Sequence, residues 1–169
     1  THPFHLVLIA KDQTGYKNLV KLVSIAKCEG MYYKPRINHE LIEQHHEGLI
    51  CLSACVQGEL AYYIITGEKE KAIETAKFYK GLFGEDYYIE LQDHGLEKQK
   101  MSNPALMEIA KQLDIKMVIT NDSHYLKKED ADWHDTLLCI QTNALKESTN
   151  RFSFPNNEFY VCLLYTSPS

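Results

Sequence analysis

Short apolar runs alternate along the chain with segments of helical periodicity. The strand-like runs cover residues 4–10, 48–55, 86–92 and 116–120. The helix-like segments cover residues 14–30, 40–45, 57–65, 68–82, 103–113 and 128–141. This alternation predicts an α/β fold in which strands and helices follow one another around a parallel sheet or barrel.

Polar residues follow three of the four strand-like runs. Cys55 ends the second run, His94 follows the third, and Asp122 and His124 follow the fourth. Because the carboxyl ends of parallel strands share one rim, these side chains are predicted to lie together there. His5 stands at the beginning of its run, so the same argument places it away from that rim.

The residue types at these positions point to a metal site. Asp122 and His124 are two residues apart on an extended segment, so both side chains can face one cation. An Asp oxygen and an imidazole nitrogen suit Zn, Mn or Fe. The alternatives are that Asp122 caps the next helix, that His124 is a surface residue, that Cys55 is a small buried apolar side chain, and that His94 belongs to a turn.

Composition and charge narrow the function classes. The net charge of −5 and pI near 5.9 argue against this segment gripping a phosphate backbone by itself. Five cysteines without a CxxC pair or an apolar leader indicate a reduced, cytoplasmic protein. No apolar run approaches the ~20 residues of a membrane span, so no membrane partner is expected. Phosphate-binding glycine loops and the GxSxG elbow are missing from the sequence.

Several motifs together resemble a known family. They are, in order, HLVLIAKDQTGYKNLVKLVSIA, EGMYYKPRI, EGLICLSACVQGEL, YYIELQDHGL, ITNDSHYL, HDTLLCIQT and NRFSF with EFY. Over residues 3–160 they are similar to the PHP domain of bacterial DNA polymerase III alpha subunits. The resemblance implies an incomplete, distorted (β/α)7, TIM-like barrel over residues 1–160 that lacks its N-terminal strands. Residues 161–169 depart from the family and are interpreted as a non-native tail.

The resemblance also implies a set of metal ligands. The family's ligand positions correspond to His5, Cys55, Asp122 and His124, which restores His5 as a candidate. Asp122 is expected to be the catalytic carboxylate, and His94 is expected to line the site. Zn or Mn is the expected metal in this cluster. The family's opening His-x-His motif and a Glu ligand are expected upstream of Thr1.

The resemblance finally implies the function of a longer parent protein, a DNA-directed DNA polymerase of DNA replication. Its polymerase site, with Mg, would lie downstream, and its partners would be DNA and the other subunits of the replicase holoenzyme. The PHP domain would carry a metal-dependent 3′–5′ exonuclease or phosphoesterase site, although the fragment alone is expected to be inactive. The alternatives are a catalytically silent scaffold of the polymerase and a free-standing PHP phosphatase.

Overall fold

The structure is a computed structural model that describes residues 2–162. The chain divides into two compact units. The first comprises the residues up to Leu91 together with Met101–Val118, and the second comprises Gln92–Lys100 and the residues from Ile119 onward. The expected division into a domain of residues 1–160 and a tail of residues 161–169 stays a prediction, since residues 163–169 lie outside the described residues.

The described elements alternate between strands and helices, as the apolar pattern predicted. The strands are β1 (Val7–Ala10), β2 (Met31–Tyr32), β3 (Lys34–Pro35), β4 (Leu49–Leu52), β5 (Tyr87–Leu91) and β6 (Lys116–Ile119). The helices are α1 (Gln13–Cys28), α2 (His39–Gln44), α3 (Glu59–Ile65), α4 (Lys69–Phe83), α5 (Glu97–Gln112) and α6 (Ala131–Thr142). The mixed α/β class is therefore confirmed.

Four strands form one sheet in the order β1-β4-β5-β6. β4 and β5 are parallel, but β1 runs antiparallel to β4, with Val7 opposite Leu52 and Ala10 opposite Leu49. The expectation of a wholly parallel sheet was therefore wrong for β1. An apolar run shows where a strand lies and not its direction, and the alternating exposure along β1 is typical of antiparallel strands with one open face.

Two other elements differ from the sequence prediction. The segment that was expected to be only a loop contains the short antiparallel pair β2 and β3, joined at Tyr33 with a left-handed φ of 59°. Helix α5 begins at Glu97 rather than near Asn103 and carries Pro104 inside it. Proline favours the first turn of a helix, which misplaced the predicted start.

The first unit contains the large apolar core. Residues from α1, α2, α3, α4 and α5 pack on the buried faces of β4 and β5. Helix α1 approaches the residue before β4 so closely that a Cβ on Gly15 would lie 1.7 Å from the carbonyl oxygen of Gly48. Only glycine fits at this position. Asp12 caps this helix by accepting a hydrogen bond from the Gly15 N–H at 2.9 Å.

Among its described residues, the second unit has one long helix of its own, α6, and Asn143, the residue that follows this helix, has a left-handed conformation. Polar contacts connect its segments. Arg151 forms a two-pronged ion pair with Asp135 of α6, at 2.6 Å and 2.7 Å. The backbone of Tyr125 pairs with that of Tyr160 in a parallel bridge. Throughout residues 2–162, every helix is too short or too polar to cross a membrane.

Candidate metal-binding residues

The first candidate pair, His5 and Cys55, lies in the first unit. The Cys55 Sγ atom is 3.6 Å from the His5 Nδ1 atom. His5 is exposed and Cys55 is half-buried. In contrast, Cys51 on β4 is fully buried, and burial raises the pKa of its thiol well above the usual range. Cys51 therefore behaves as a small apolar core residue, whereas Cys55 is accessible to a ligand.

Backbone geometry at the end of β4 places Cys55. Ala54, just before it, has a left-handed φ of 62°, which is uncommon for residues other than glycine and often marks functional sites. The turn closes where the Gly58 N–H donates to the Cys55 carbonyl at 2.7 Å. A Cβ on Gly58 would lie 2.1 Å from the Ser53 carbonyl oxygen, so this turn requires glycine.

His5 reaches Cys55 because β1 is antiparallel to β4. The start of β1 consequently lies beside the end of β4, where the His5 N–H donates to the Gln57 carbonyl at 3.0 Å and His5 bridges Gly58. The strand-end argument, which assumed a parallel β1 and excluded His5, was wrong for this reason. The assignment of His5 as a ligand, which the family resemblance implies, stays a prediction.

The second candidate pair, Asp122 and His124, lies in the second unit. The Asp122 Oδ1 atom is 3.3 Å from the His124 Nε2 atom, and both side chains are partly exposed. The His124 N–H donates to the Phe159 carbonyl at 2.8 Å, which holds the extended segment in place. The two side chains therefore converge on one side, as their spacing predicted.

Aromatic rings surround His124. The ring of Phe154 is 4.7 Å away, and those of His134 and Phe159 are 5.6 Å and 6.0 Å away. Burial lowers the pKa of His134, and the neighbouring His124 lowers it further. The His134 ring also contacts the rings of Tyr125 and Phe154, so it packs against neighbours outside α6.

His94 lies in the same unit as Asp122 but is almost completely buried, with 2% of its surface exposed. Its ring contacts the side chains of Gln99 and Asn121 and stacks on Phe159. Sequence reasoning missed Gln99, because a glutamine in the first turns of a helix carries no signal of a distant partner. Asn121 belongs to the same polar run as Asp122 but was not singled out.

The donor atoms of both pairs fit a transition metal. A tetrahedral zinc ion with bonds of about 2.3 Å to sulfur and 2.0 Å to nitrogen separates those atoms by about 3.5 Å, and an oxygen and a nitrogen by about 3.3 Å. The pairs are 3.6 Å and 3.3 Å apart. However, no three His, Cys, Asp or Glu side chains within residues 2–162 form a group that could hold a metal ion. Each pair therefore offers two ligands.

The expectation that Cys55 shares one rim with Asp122 and His124 concerns residues of different units and stays a prediction. The same holds for the assignment of His5, Cys55, Asp122 and His124 as metal ligands, of Asp122 as the catalytic residue and of His94 as a residue that lines the site. Contacts within each unit show only that two of these residues meet in each.

Comparison with known protein families identifies the class of this α/β protein. Residues 1–94, more than half of the chain, match the PHP domain family, and the chain belongs to that family. The relatives carry a more specific description. Proteins described as DNA polymerase III subunit alpha are 51% identical over 158 residues in Deinococcus radiodurans and 50% identical over 159 residues in Treponema pallidum. The protein of the same description from Thermus aquaticus is 45% identical over 158 residues.

These relatives are much longer than this chain. Each alignment covers 94% of the chain but only 12%, 14% and 13% of the respective relative. The chain therefore spans about an eighth of the length of the polymerase subunits that it matches.

Proposed function

We propose that this chain is part of a DNA polymerase III alpha subunit, a DNA-directed DNA polymerase that acts in DNA replication in the cytoplasm. Identity near 50% to two such subunits over almost the whole chain supports this assignment. In the longer protein, the strands described here would form part of a distorted (β/α)7 barrel. The polymerase site with its Mg ions, and the contacts with other subunits of the replicase, would lie outside this chain.

The PHP part is proposed to be a metal-dependent phosphodiesterase that removes nucleotides from a 3′ end. The observation that carries this proposal is the presence of two ligand pairs, His5 with Cys55 and Asp122 with His124, at the separations of a tetrahedral ligand shell. Zn or Mn suits this mixture of sulfur, nitrogen and oxygen donors. Further ligands would come from other residues of the longer protein.

The chain's own residues have distinct proposed roles. A bound divalent ion supplies a water of lowered pKa and charge neutralisation for the phosphodiester. Asp122 supplies the negative charge that holds such an ion, and its partly exposed carboxylate also remains accessible to a water molecule. His124 and His5 would each supply an imidazole nitrogen to such an ion, and Cys55 would supply its sulfur. Asp122 is proposed as the catalytic residue because its carboxylate would both hold the ion and offset its positive charge, which an imidazole cannot do.

DNA binding would depend on the rest of the longer protein. The chain has 18 Lys and Arg residues against 23 Asp and Glu residues. Such a balance gives little counterion release on a phosphate backbone, which is the main source of non-specific affinity for DNA. A primer end would therefore be delivered to this site by other regions.

A second candidate function is a catalytically silent scaffold of the polymerase. The finding that no group of three ligands exists among the described residues 2–162 favours it. In that case the two pairs are hydrogen bonds, since a thiol or a carboxylate beside an imidazole has the same separations. The scaffold and the exonuclease differ in whether the full-length protein holds metal and digests a primer.

The test uses the purified full-length protein and its Asp122→Asn variant. We expect bound Zn or Mn by elemental analysis, digestion of a mismatched primer by the wild type, and loss of that digestion in the variant with primer extension unchanged. Asp93→Asn is the matched control, because Asp93 is exposed at another strand end, where its carboxylate accepts from the Gly95 N–H. Absence of metal, or equal digestion by Asp122→Asn and the wild type, would refute the exonuclease.

A further inference from the structure

His94 is bonded through both its backbone and its ring, although it is nearly inaccessible to solvent. Its backbone N–H donates to the Gln99 Oε1 atom at 2.8 Å, and its carbonyl accepts from the Asn156 Nδ2 atom at 2.7 Å. Its ring nitrogens lie 2.9 Å from Gln99 Nε2 and 2.8 Å from Asn121 Oδ1. The buried ring therefore connects two segments of the second unit through side-chain hydrogen bonds.

These contacts define which ring nitrogen carries the hydrogen. The Gln99 Oε1 atom accepts from the backbone of His94, so the Gln99 amide nitrogen must be the atom that faces the ring and donates to Nδ1. Nδ1 is then an acceptor, and the hydrogen of the neutral ring is on Nε2. Nε2 donates this hydrogen to Asn121 Oδ1. Neither nitrogen has a lone pair left for a metal ion.

The Nε2–H group acts on the turn that precedes Asp122. Asn121 accepts from it and, through its own Nδ2 atom, donates to the Tyr160 carbonyl at 2.7 Å. The Asp122 N–H also points at the same Nε2 atom, at 3.2 Å, but this longer contact is not a full hydrogen bond while Nε2 carries the hydrogen that Asn121 accepts at 2.8 Å. Because this ring packs directly against the backbone of Asp122, a change in the ring would move the carboxylate.

The His94 ring is also connected to His124, through Phe159. The His94 ring stacks on Phe159 with 4.6 Å between the centroids and 1° between the planes. The carbonyl of Phe159 accepts the His124 N–H. One buried ring therefore contacts both the turn before Asp122 and the residue that holds the backbone of His124.

We infer that His94 is a positioning residue for the Asp122–His124 pair and is not itself a metal ligand. This inference rests on the proposed metal site and assigns His94 a role that differs from lining it. Hydrogen-bonded groups behind metal ligands typically change metal affinity by about 10- to 100-fold when they are removed.

The experiment measures Co²⁺ binding to the full-length protein by its visible absorption. In His94→Phe the ring can still stack on Phe159, but both ring hydrogen bonds are lost. We expect the Kd for Co²⁺ to rise about 10- to 100-fold, with the number of ions and the band positions at saturation unchanged. Gln99→Met leaves the His94 ring in place but removes the donor to Nδ1, so the ring hydrogen is no longer confined to Nε2. We expect this variant to raise the Kd for Co²⁺ by about 10-fold.

The matched control is Gln92→Met, since Gln92 is a half-buried glutamine of the same unit that donates to Thr120. Loss of one ion or shifted bands at saturation in His94→Phe would make His94 a ligand and overturn the inference. An unchanged Kd in both His94→Phe and Gln99→Met would reduce His94 to a packing residue. A wild-type protein that binds no Co²⁺, Zn or Mn would overturn the proposed metal site itself.

Discussion

The two ligand pairs are positioned in different ways. In the first unit, His5 and Cys55 are placed by the backbone, through an antiparallel strand, a left-handed Ala54 and a turn that requires Gly58. In the second unit, the segment of Asp122 and His124 has no regular secondary structure and is held by hydrogen bonds from other segments.

This difference determines which changes each pair can tolerate. A site built on backbone geometry is sensitive to added Cβ atoms and insensitive to most side-chain changes nearby. A site built on side-chain contacts depends on buried polar and aromatic partners, each of which is costly to leave unpaired. Variants that address one kind of support should therefore affect one pair and spare the other.

The largest effect is expected from Phe159→Ala. Phe159 is 4% exposed, stacks on His94 and lies 4.5 Å from the Phe154 ring. Removing a buried aromatic ring typically costs about 3–5 kcal/mol. We expect the amides of residues 121–125 to exchange hydrogen about 100-fold faster or more in the full-length protein, measured by mass spectrometry.

The control for this variant is Phe152→Ala, because Phe152 is 61% exposed. That variant should leave the exchange of residues 121–125 unchanged. Equal exchange in Phe159→Ala and the wild type would show that the side-chain contacts do not hold the second pair.

Gly58→Ala is expected to have the next largest effect, and on the first pair. Its Cβ would lie 2.1 Å from the Ser53 carbonyl oxygen, which is backbone and cannot move aside cheaply. Overpacking of this kind costs about 1–3 kcal/mol. We expect faster hydrogen exchange at residues 53–58 and faster reaction of the Cys55 thiol with a labelling reagent.

Gly81→Ala is the matched control, because nothing lies within 4 Å of a Cβ at this position in α4. Alanine is a better helix former than glycine, so that variant should be more stable by about 0.4–1 kcal/mol. If Gly58→Ala were equally well tolerated, the backbone would not be what places Cys55.

Much of the fold could be predicted from the chain because apolar runs and helical stripes mark the elements directly. Within residues 2–162, all four long strands and five of the six helices were expected near their observed positions, whereas the start of α5 was misplaced by six residues. Strand direction could not be predicted, because pairing depends on distant residues and the apolar pattern of a strand is the same in either direction. The β2–β3 pair was missed because each strand is only two residues long and exposed, so no apolar run marks it.

The candidate site was only partly predictable for the same reason. Asp122 and His124 converge because of a local spacing of two residues, which the sequence displays. His5 approaches Cys55 only because β1 reverses direction relative to β4, so residue reasoning excluded it. The contacts of His94 with Gln99 and Asn121 depend on how several loops meet, and no pattern in the chain indicates them.

A smaller and pH-dependent effect is expected at the ion pair between Asp135 and Arg151. The hydrogen bond from Arg151 and the charge of its guanidinium lower the pKa of Asp135 below its value in the unfolded chain. The pair therefore stabilises the second unit above the unfolded pKa of about 4 and loses this effect as the pH falls through the folded pKa. At about pH 7, Asp135→Asn should therefore increase the rate of hydrogen exchange at residues 145–152.

The difference between Asp135→Asn and the wild type should disappear on acidification well below about pH 4, as measured by hydrogen exchange corrected for intrinsic rates. Asp132→Asn is the control, since Asp132 pairs with Lys146 at the surface, with a side chain that is 76% exposed. A difference between Asp135→Asn and the wild type that persists in acid would mean that the carboxylate charge is not the source of the effect.

The smallest effect is expected at Ala54, where two backbone contributions nearly cancel. A left-handed φ costs a residue with a Cβ about 1–2 kcal/mol, and glycine in exchange loses about 0.5–1 kcal/mol of backbone entropy. Ala54→Gly should therefore change the free energy of unfolding at this turn by less than about 1 kcal/mol. In contrast, Ala54→Val places a branched side chain at a buried left-handed position and should destabilise the turn clearly. Hydrogen exchange at residues 53–58 measures the stability of the turn in both variants. If the turn of Ala54→Val were as stable as that of the wild type, the end of β4 would not impose the left-handed conformation on Ala54.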